Sequence, residues 1–501
     1  MAMETEPGGA SEPSETDAAD GDASSNAGET DASRLDAAAI DAERAGLMRL
    51  AYRMLGTVAD AEDAVQETYA RWYRLSEHER DAIENPAAWL TRAASRVCPF
   101  SDDSPDEDAL TRERFPDLPA DDRLGARRDI VAGRIASDTE VMRSSSGGLT
   151  SLLLVELLRE GRVDGIVHVG RPEGDQRFAY TISTSAEEVL GSRKSMYAST
   201  TLTDVLGRIR GDGRRYAVVG VPCFITAARH LVREMPDLGE QLVVFVGLVC
   251  GHLKSTFYAE SLAWQAGVAP QDLERIDFRV KAPERSSGNY DYEVTARGAT
   301  EPIRRRTGSA FDTSWGFGAF QPEACNFCDD VFAESADVAF ADAWLPQYEP
   351  DSRGTNVVVV RDEQVGETLQ RAAARGEADL EPLSADDAAA SQGGNYRHRR
   401  VGLAVRLADD LRRGRSVPRK RVAPDRTVVS RRRAALIRQR RRMSVLSLER
   451  FAEAREAGDF SRYERPMQRA IRRYWLIDAA THGPRALAGF LKHRAKELLR
   501  R

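Results

Sequence analysis

Cysteine is scarce, with five in 501 residues, far too few for a disulfide framework. Each thiol is therefore expected to be a free side chain, a ligand or a catalytic group. Lysine is scarce too: six of the 72 basic residues are lysine, a bias that reflects GC-rich coding as much as protein chemistry. No apolar run approaches the ~18 residues of a membrane span. The start MAMETEPGGASEPSETDAAD lacks the basic n-region and apolar core of a secretory signal, so the expected location is the cytoplasm. Nor does one sign of charge dominate. Seventy-two basic against 79 acidic side chains give a net charge of -7, which excludes whole-surface attraction to nucleic acid or anionic lipid and leaves only local patches. What the chain has is length, enough for about three domains and for more than one function.

Residues 1–36 hold ten carboxylates and one base, Arg34, with no aromatic side chain. Such a segment cannot bury enough surface to offset backbone ordering and is predicted to be a disordered acidic tail. Helical periodicity begins at about Ala37 and gives a segment at 37–97. AAAIDAERAGLMRLAYRMLG places Ile40, Leu47, Leu50, Ala51 and Met54 on one side. Asp60 can cap VADAEDAVQETYARWYRL, and Pro86 opens a third helix where its missing N–H costs nothing. The run YRMLGTVADAEDAVQETYARWYR followed by ENPAAWLTRAASRVC resembles the second conserved region of extracytoplasmic-function sigma factors, over about residues 42–97. That resemblance implies that Asp60, Glu62, Asp63, Gln66 and Glu67 face core RNA polymerase, and that Trp89, Arg92 and Arg96 lie nearest promoter DNA. The family continues into a helix-turn-helix, and nothing after Val97 resembles one.

After Val97 the character changes. CPFSDDSPDEDALTRERFPDLPADD is rich in Asp, Pro and Ser and reads as a long loop with short turns. An α/β core is then predicted, within a domain at 98–390. SSSGGLTSLLLVELLREG is a turn leading into a helix, and VDGIVHVG is a buried strand. A strand at Tyr216–Val221 and another at Leu242–Val249 are apolar on both faces, as strands covered by helices on two sides must be. Cys223 follows the first and Cys250 the second, while Cys325 and Cys328 form ACNFC farther on. Loops at the carboxyl ends of neighbouring parallel strands converge, so these thiols can meet. Four thiolates suit a [4Fe-4S] cluster or a structural zinc, while lone buried cysteines are usually small hydrophobes.

From CPFSDD to about Tyr474, the motifs RSSSGGLTSLLLVELL, VDGIVHVG, GSRKSMYAST, VVGVPCFITAAR, VGLVCGH, CNFCDD and SADVAFADAW follow in order. In this the chain resembles the coenzyme F420 hydrogenase/dehydrogenase beta-subunit family. The resemblance implies an iron-sulfur flavoprotein passing electrons between FAD and coenzyme F420 or another redox partner, whether protein or small molecule. It implies that Cys223, Cys250, Cys325 and Cys328 hold a [4Fe-4S] cluster. By type, Ser144, Ser145, Ser146, Gly147 and Gly148 suit a phosphate at a helix start. Arg193, Lys194, Tyr197 and Ser199 offer cations and hydroxyls to a flavin, with Lys194 beside the developing anion. Asp342 is expected near the redox centre, although ADAW carries Ala341 where the family has glycine. His252 is expected to tune the cluster or to pack as an ordinary histidine. The family's cysteine-rich stretch before CPF is replaced by the sigma-like segment, which leaves Cys98 without companions.

Residues 391–501 form a basic helical region. Arg397 to Met443 holds 18 Lys or Arg against three Asp, a net of +15. This run reads either as a nucleic-acid or membrane-facing stripe or as helices lying against the acidic remainder, and the family resemblance favours the second. RALAGFLKHRAKELLR reads as a final amphipathic helix.

Overall fold

The computed structural model describes Ile83, residues 95–172 and 177–485, and Ala488. The acidic tail, the sigma-like helices and the final amphipathic helix lie outside the described residues, apart from a helical turn at Ser95–Val97 and isolated positions. The principal elements, in chain order, are α1 (Glu107–Arg114), β1 (Asp129–Ile135), α2 (Leu149–Arg159), β2 (Gly165–Gly170), β3 (Ala179–Ser183), β4 (Tyr216–Gly220), α3 (Pro222–Glu234), β5 (Leu242–Leu248), α4 (Phe257–Gln265), β6 (Leu273–Val280), β7 (Asp291–Ala296), β8 (Ile303–Arg306), β9 (Val338–Asp342), β10 (Asn356–Val360), α5 (Glu363–Ala374), β11 (Ala378–Pro382), α6 (Gly402–Leu411), α7 (Arg431–Ala457) and α8 (Ser461–Thr481).

The fold is a mixed α/β core with C-terminal helices. One correction comes first: the loop expected across residues 98–122 contains α1. Asp106 Oδ1 accepts from Ala109 N at 2.8 Å, Glu107 and Asp108 occupy the first turn, and Arg112 and Arg114 the last. Capping and dipole-matched charges make a short helix that apolar periodicity does not reveal.

Eight strands form one sheet in the order β11-β1-β10-β9-β5-β4-β2-β3. Its centre, β2-β4-β5-β9, is parallel, and the flanking strands are antiparallel. The purely parallel sheet behind the convergence argument is thus confined to the middle. YAVVG and NVVVV are buried along their whole length, as β-branched strands sandwiched between layers should be. Leu149, Leu153 and Leu157 of α2 and Leu369 of α5 cover one face against Val219, Val246 and Val358. Ile225 and Ala228 of α3 cover the other, beside Val218 and Phe245.

That second layer also holds an irregular segment, Cys328 to Asp337, in which every residue is buried. Gly247 lets it approach, since a Cβ there would meet Ala333 Cβ at 2.4 Å. Asp337 Oδ2 accepts from Phe245 N at 2.7 Å, and the Arg361 guanidinium donates to the carbonyls of Phe332, Ala333 and Ala336. Irregular backbone is tolerated inside a protein only where its polar groups are met in this way. A smaller antiparallel sheet, β8-β7-β6, packs with α4 against α7 and α8, sharing a core of Tyr258, Phe278, Phe320, Met443, Phe451 and Tyr463. Among the described residues, no helix is long and apolar enough to cross a membrane.

Candidate functional site

Strands β4 and β5 are adjacent and parallel, so their carboxyl ends open on the same edge. Cys223 lies in the first turn of α3, directly after β4, and Cys250 lies two residues beyond β5. The buried 328–337 segment connects that edge to β9, and Cys325 and Cys328 sit where it begins. Once ionised, Cys328, Cys325 and Cys250 would all bear on Cys223, and Cys250 on Cys325. All four expected ligands are therefore brought into one neighbourhood. Leu253 N donates to Cys325 Sγ at 3.4 Å, and Arg399 Nη1 donates to Cys328 Sγ at 2.7 Å. Burial pushes every one of these thiols up, Cys325 and Cys328 to about 12. As free side chains they are neutral, and only ligation makes them thiolates.

Among the described residues, no group of three or more His, Cys, Asp or Glu is arranged to hold a metal ion. A tetrahedral zinc demands four sulfurs about 2.3 Å from one centre. A polynuclear cluster spreads its thiolates around a larger body, and the chemistry of this donor set fits that group. Cys98 is not among the thiols that act on one another: burial raises its thiol, and the charge beside it is that of Lys420, which also bears on Cys328.

Basic side chains line the thiols. Arg399 Nε also donates to Gly251 O at 3.4 Å. Arg406 Nε donates to the carbonyl of Asn326, inside the CxxC loop, at 2.8 Å. Arg440 Nη2 meets His252 Nδ1 at 3.2 Å, and Arg406 Nη1 meets His398 Nδ1 at 3.3 Å. Burial, then the neighbouring cations, holds both histidines well below their ordinary value, so both are neutral.

A second feature lies beside the carboxyl end of β9. A narrow cleft, with little more than a water-sized free space, is lined by Ser145, Ser146, Arg279, Lys281, Asp342, Trp344 and Thr355, among others. Ser145 and Ser146 of the serine-glycine loop thus face the same space as Asp342. The glycines serve that loop: Gly148 adopts φ 84°, and a Cβ on Gly147 would lie 2.6 Å from Gly133 O. Asn356 Oδ1 already accepts from Leu149 N, the first donor of α2, at 3.2 Å. Ser144 turns away, its hydroxyl donating to Glu140 O at 3.0 Å.

The GSRKSMYAST residues mostly flank the cleft. Ser195 N donates to Ser145 Oγ at 2.8 Å, which ties the two loops together, and Arg193 pairs with Glu140. Lys194 is engaged by Asp277 at 3.0 Å and by Arg279 O at 2.8 Å. Ser199 Oγ donates to Lys254 O at 3.0 Å. Tyr197 sits edge-on to Trp315, with ring centroids 5.3 Å apart, and Trp315 meets His252 at 4.5 Å. An aromatic series therefore runs from Tyr197 through Trp315 to His252, two residues after Cys250.

Two basic residues of the cleft escape sequence reasoning. Arg279 clamps Asp342 through two hydrogen bonds of 2.8 and 3.1 Å. Lys281 donates to Val141 O at 2.6 Å, to Ser146 O at 2.8 Å and to Arg353 O, which engages all three of its N–H groups. Burial and then the charges of Arg279 and Lys194 push the Lys281 ammonium down to about 7. The pair RVK puts both on one face of β6 and just past it, the one local signal that could have found them.

Residues 130–207 match the family described as coenzyme F420 hydrogenase/dehydrogenase, beta subunit N-term, and residues 213–386 match its C terminus. Residues 39–98 match sigma-70 region 2. Among curated relatives, a component of the F(420)H(2) dehydrogenase of Methanosarcina mazei is 33% identical over 156 residues, 31% of this chain and 39% of that protein. The beta chain of the coenzyme F420 hydrogenase of Methanosarcina barkeri is 24% identical over 271 residues, 52% of this chain and 84% of that protein. The ECF RNA polymerase sigma factor SigJ of Mycobacterium tuberculosis is 32% identical over 176 residues, 34% of this chain and 51% of that protein. The chain thus spans about two fifths of the first of these and half of the last. With both regions present in order around one sheet, the chain belongs to the coenzyme F420 hydrogenase/dehydrogenase beta-subunit family and carries a sigma-70 region 2 segment ahead of it.

Proposed function

We propose that the region from Cys98 to the end of α8 is an iron-sulfur flavoprotein oxidoreductase, exchanging electrons between FAD and coenzyme F420 or another redox partner. The observation that carries this reading is the gathering of four thiols from three distant segments at one sheet edge. When bound, the cluster supplies one-electron exchange and the flavin couples it to two-electron donors. The chain's own residues bind and orient. Cys223, Cys250, Cys325 and Cys328 hold the cluster. Ser145 and Ser146 face a phosphate-bearing group in the cleft, Lys281 supplies positive charge from an ammonium held by three carbonyls, and Arg279 fixes Asp342 beside it. Tyr197, Trp315 and His252 fill the space between and exclude water.

The test is anaerobic mixing of cofactor-loaded protein with reduced F420 while flavin absorbance is followed, beside Lys194→Ala and Lys281→Met. Wild type bleaches; Lys281→Met loses flavin affinity, and Lys194→Ala, behind the cleft, changes less. A loaded wild type that exchanges electrons with neither F420 nor any low-potential reductant would refute the assignment. The reading also has a pH signature. Only protonated Lys281 adds a positive charge, so FAD binding tightens as pH falls through about 7, by up to ~10-fold for one interaction of ~1.4 kcal/mol. Titrating affinity from about pH 8 to about pH 6 checks this, and the trend disappears in Lys281→Met.

A second reading rests on the match of residues 39–98 to sigma-70 region 2: engagement of RNA polymerase and promoter DNA by a segment that lies outside the described residues. Run-off transcription with core polymerase separates the two, since initiation at one promoter requires none of the four cysteines.

A further inference from the structure

Three arginines reach the four-cysteine site from beyond residue 386, where the family match ends. Arg399 and Arg406 are 2% and 3% exposed. Arg440 buries its Nε, which has no partner among the described residues; the same holds for Nε2 of His252 and of His398. Cys328, Cys250 and Cys325 lie close enough to act on Arg399 once ionised, Cys325 likewise on Arg440, and the arginines bear on one another. Two carboxylates offset part of this charge, Asp330 against Arg399 and Glu323 against Arg406, but Glu323 is shared with Arg441 and burial pushes the Asp330 carboxyl up, toward its neutral form. Cations crowded in a desolvated place repel one another, and the arrangement is costly unless an anion faces them. Four neutral thiols supply no charge.

We propose that Arg399, Arg406 and Arg440 form a cationic wall whose counter-ion is the thiolate-bound iron-sulfur cluster, and that the wall raises the cluster's reduction potential. The inference rests on the cluster reading above. A [4Fe-4S] core with four thiolates is a dianion when oxidised and a trianion when reduced. Fixed positive charges therefore favour the reduced form more, and most strongly where water is excluded. The wall also positions ligands, since Arg406 grips the Asn326 carbonyl between Cys325 and Cys328. Arg440 is the cleaner probe because its hydrogen bond goes to His252 and not to a cysteine.

Full-length wild type, Arg440→Gln and Arg440→Lys are to be reconstituted anaerobically, assayed for iron and sulfide, and titrated potentiometrically while the paramagnetic signal of the reduced cluster is followed. Expected is full iron in Arg440→Gln with about a tenfold lower reduced-to-oxidised ratio at fixed poise, a shift of ~59 mV to lower potential. Lysine, which keeps the charge, restores most of it. A loaded Arg440→Gln with the wild-type potential overturns the wall while leaving the oxidoreductase reading intact. Wild type that takes up no iron or sulfide sinks that reading and the wall together. Should Arg440→Gln alone fail to load, Arg406→Gln decides by the same titration.

Discussion

Serine in place of Cys328 is expected to yield a folded protein without iron or acid-labile sulfide, where wild type purified anaerobically carries about four of each per chain. Cys328 is 6% exposed, lies between the CxxC turn and the buried segment, and accepts a hydrogen bond from Arg399. Its thiol is held up to about 12 by burial, so it becomes a thiolate only through metal coordination. A serine hydroxyl fits the same volume, but its alkoxide is far less accessible and is a harder ligand. The fold should survive the change, so loss of cluster is read directly from iron, sulfide and visible absorbance. Cys98→Ser is the matched control, expected to load fully because the effects on its thiol come from burial, Lys420 and backbone groups and not from the other four thiols. Wild type that contains zinc alone, or a Cys98 variant as empty as the Cys328 variant, would count against the assigned ligand set.

The cysteine pair after the strands was legible in the sequence because both strands are apolar on two faces and stand side by side in parallel. That pattern fixes their ends, and hence Cys223 and Cys250, on one edge. The route of the CxxC was not legible. Residues 328–337 show neither helical nor strand periodicity, and what holds them is Arg361 and Asp337, paired with groups remote in the sequence. The same limit hid the cleft's cations. SSSGG announces itself by composition, whereas Arg279 and Lys281 become neighbours of Asp342 and Ser146 only through packing of the small sheet against the large one. The basic run after Arg397 was legible only through the family resemblance: as charge per residue it resembles a surface stripe, while packed helices, the reading favoured by that resemblance, agree with buried Arg399 and Arg406 and with Arg438 and Arg441 paired to Asp409 and Asp410.

The largest stability loss is expected at Arg361, which sits in no reaction path. Its guanidinium, 1% exposed, donates from Nε to Ala126 O at 2.8 Å, from Nη2 to Leu124 O at 2.8 Å and Phe332 O at 3.3 Å, and from Nη1 to Ala333 O and Ala336 O, each at 3.2 Å. No other side-chain type presents five donors in a fixed fork. It also holds Ala333 at φ 48°, a left-handed conformation that costs a residue with a Cβ roughly 1–2 kcal/mol. Arg361→Ala leaves these buried carbonyls unmet and should destabilise the protein by about 3–5 kcal/mol. Arg361→Lys should recover less than half, since a point donor cannot span them. Arg371→Ala, which removes a partly exposed pair with Glu160, should cost about 1 kcal/mol or less. Urea denaturation followed by fluorescence measures all three. Because the freed segment is the one that begins at the CxxC, Arg361→Ala should also lower iron incorporation during reconstitution. Equal stabilities for Arg361→Ala and Arg371→Ala would show that the buried segment is held by apolar packing alone, through Phe332, Ala333 and Ala336 against the sheet.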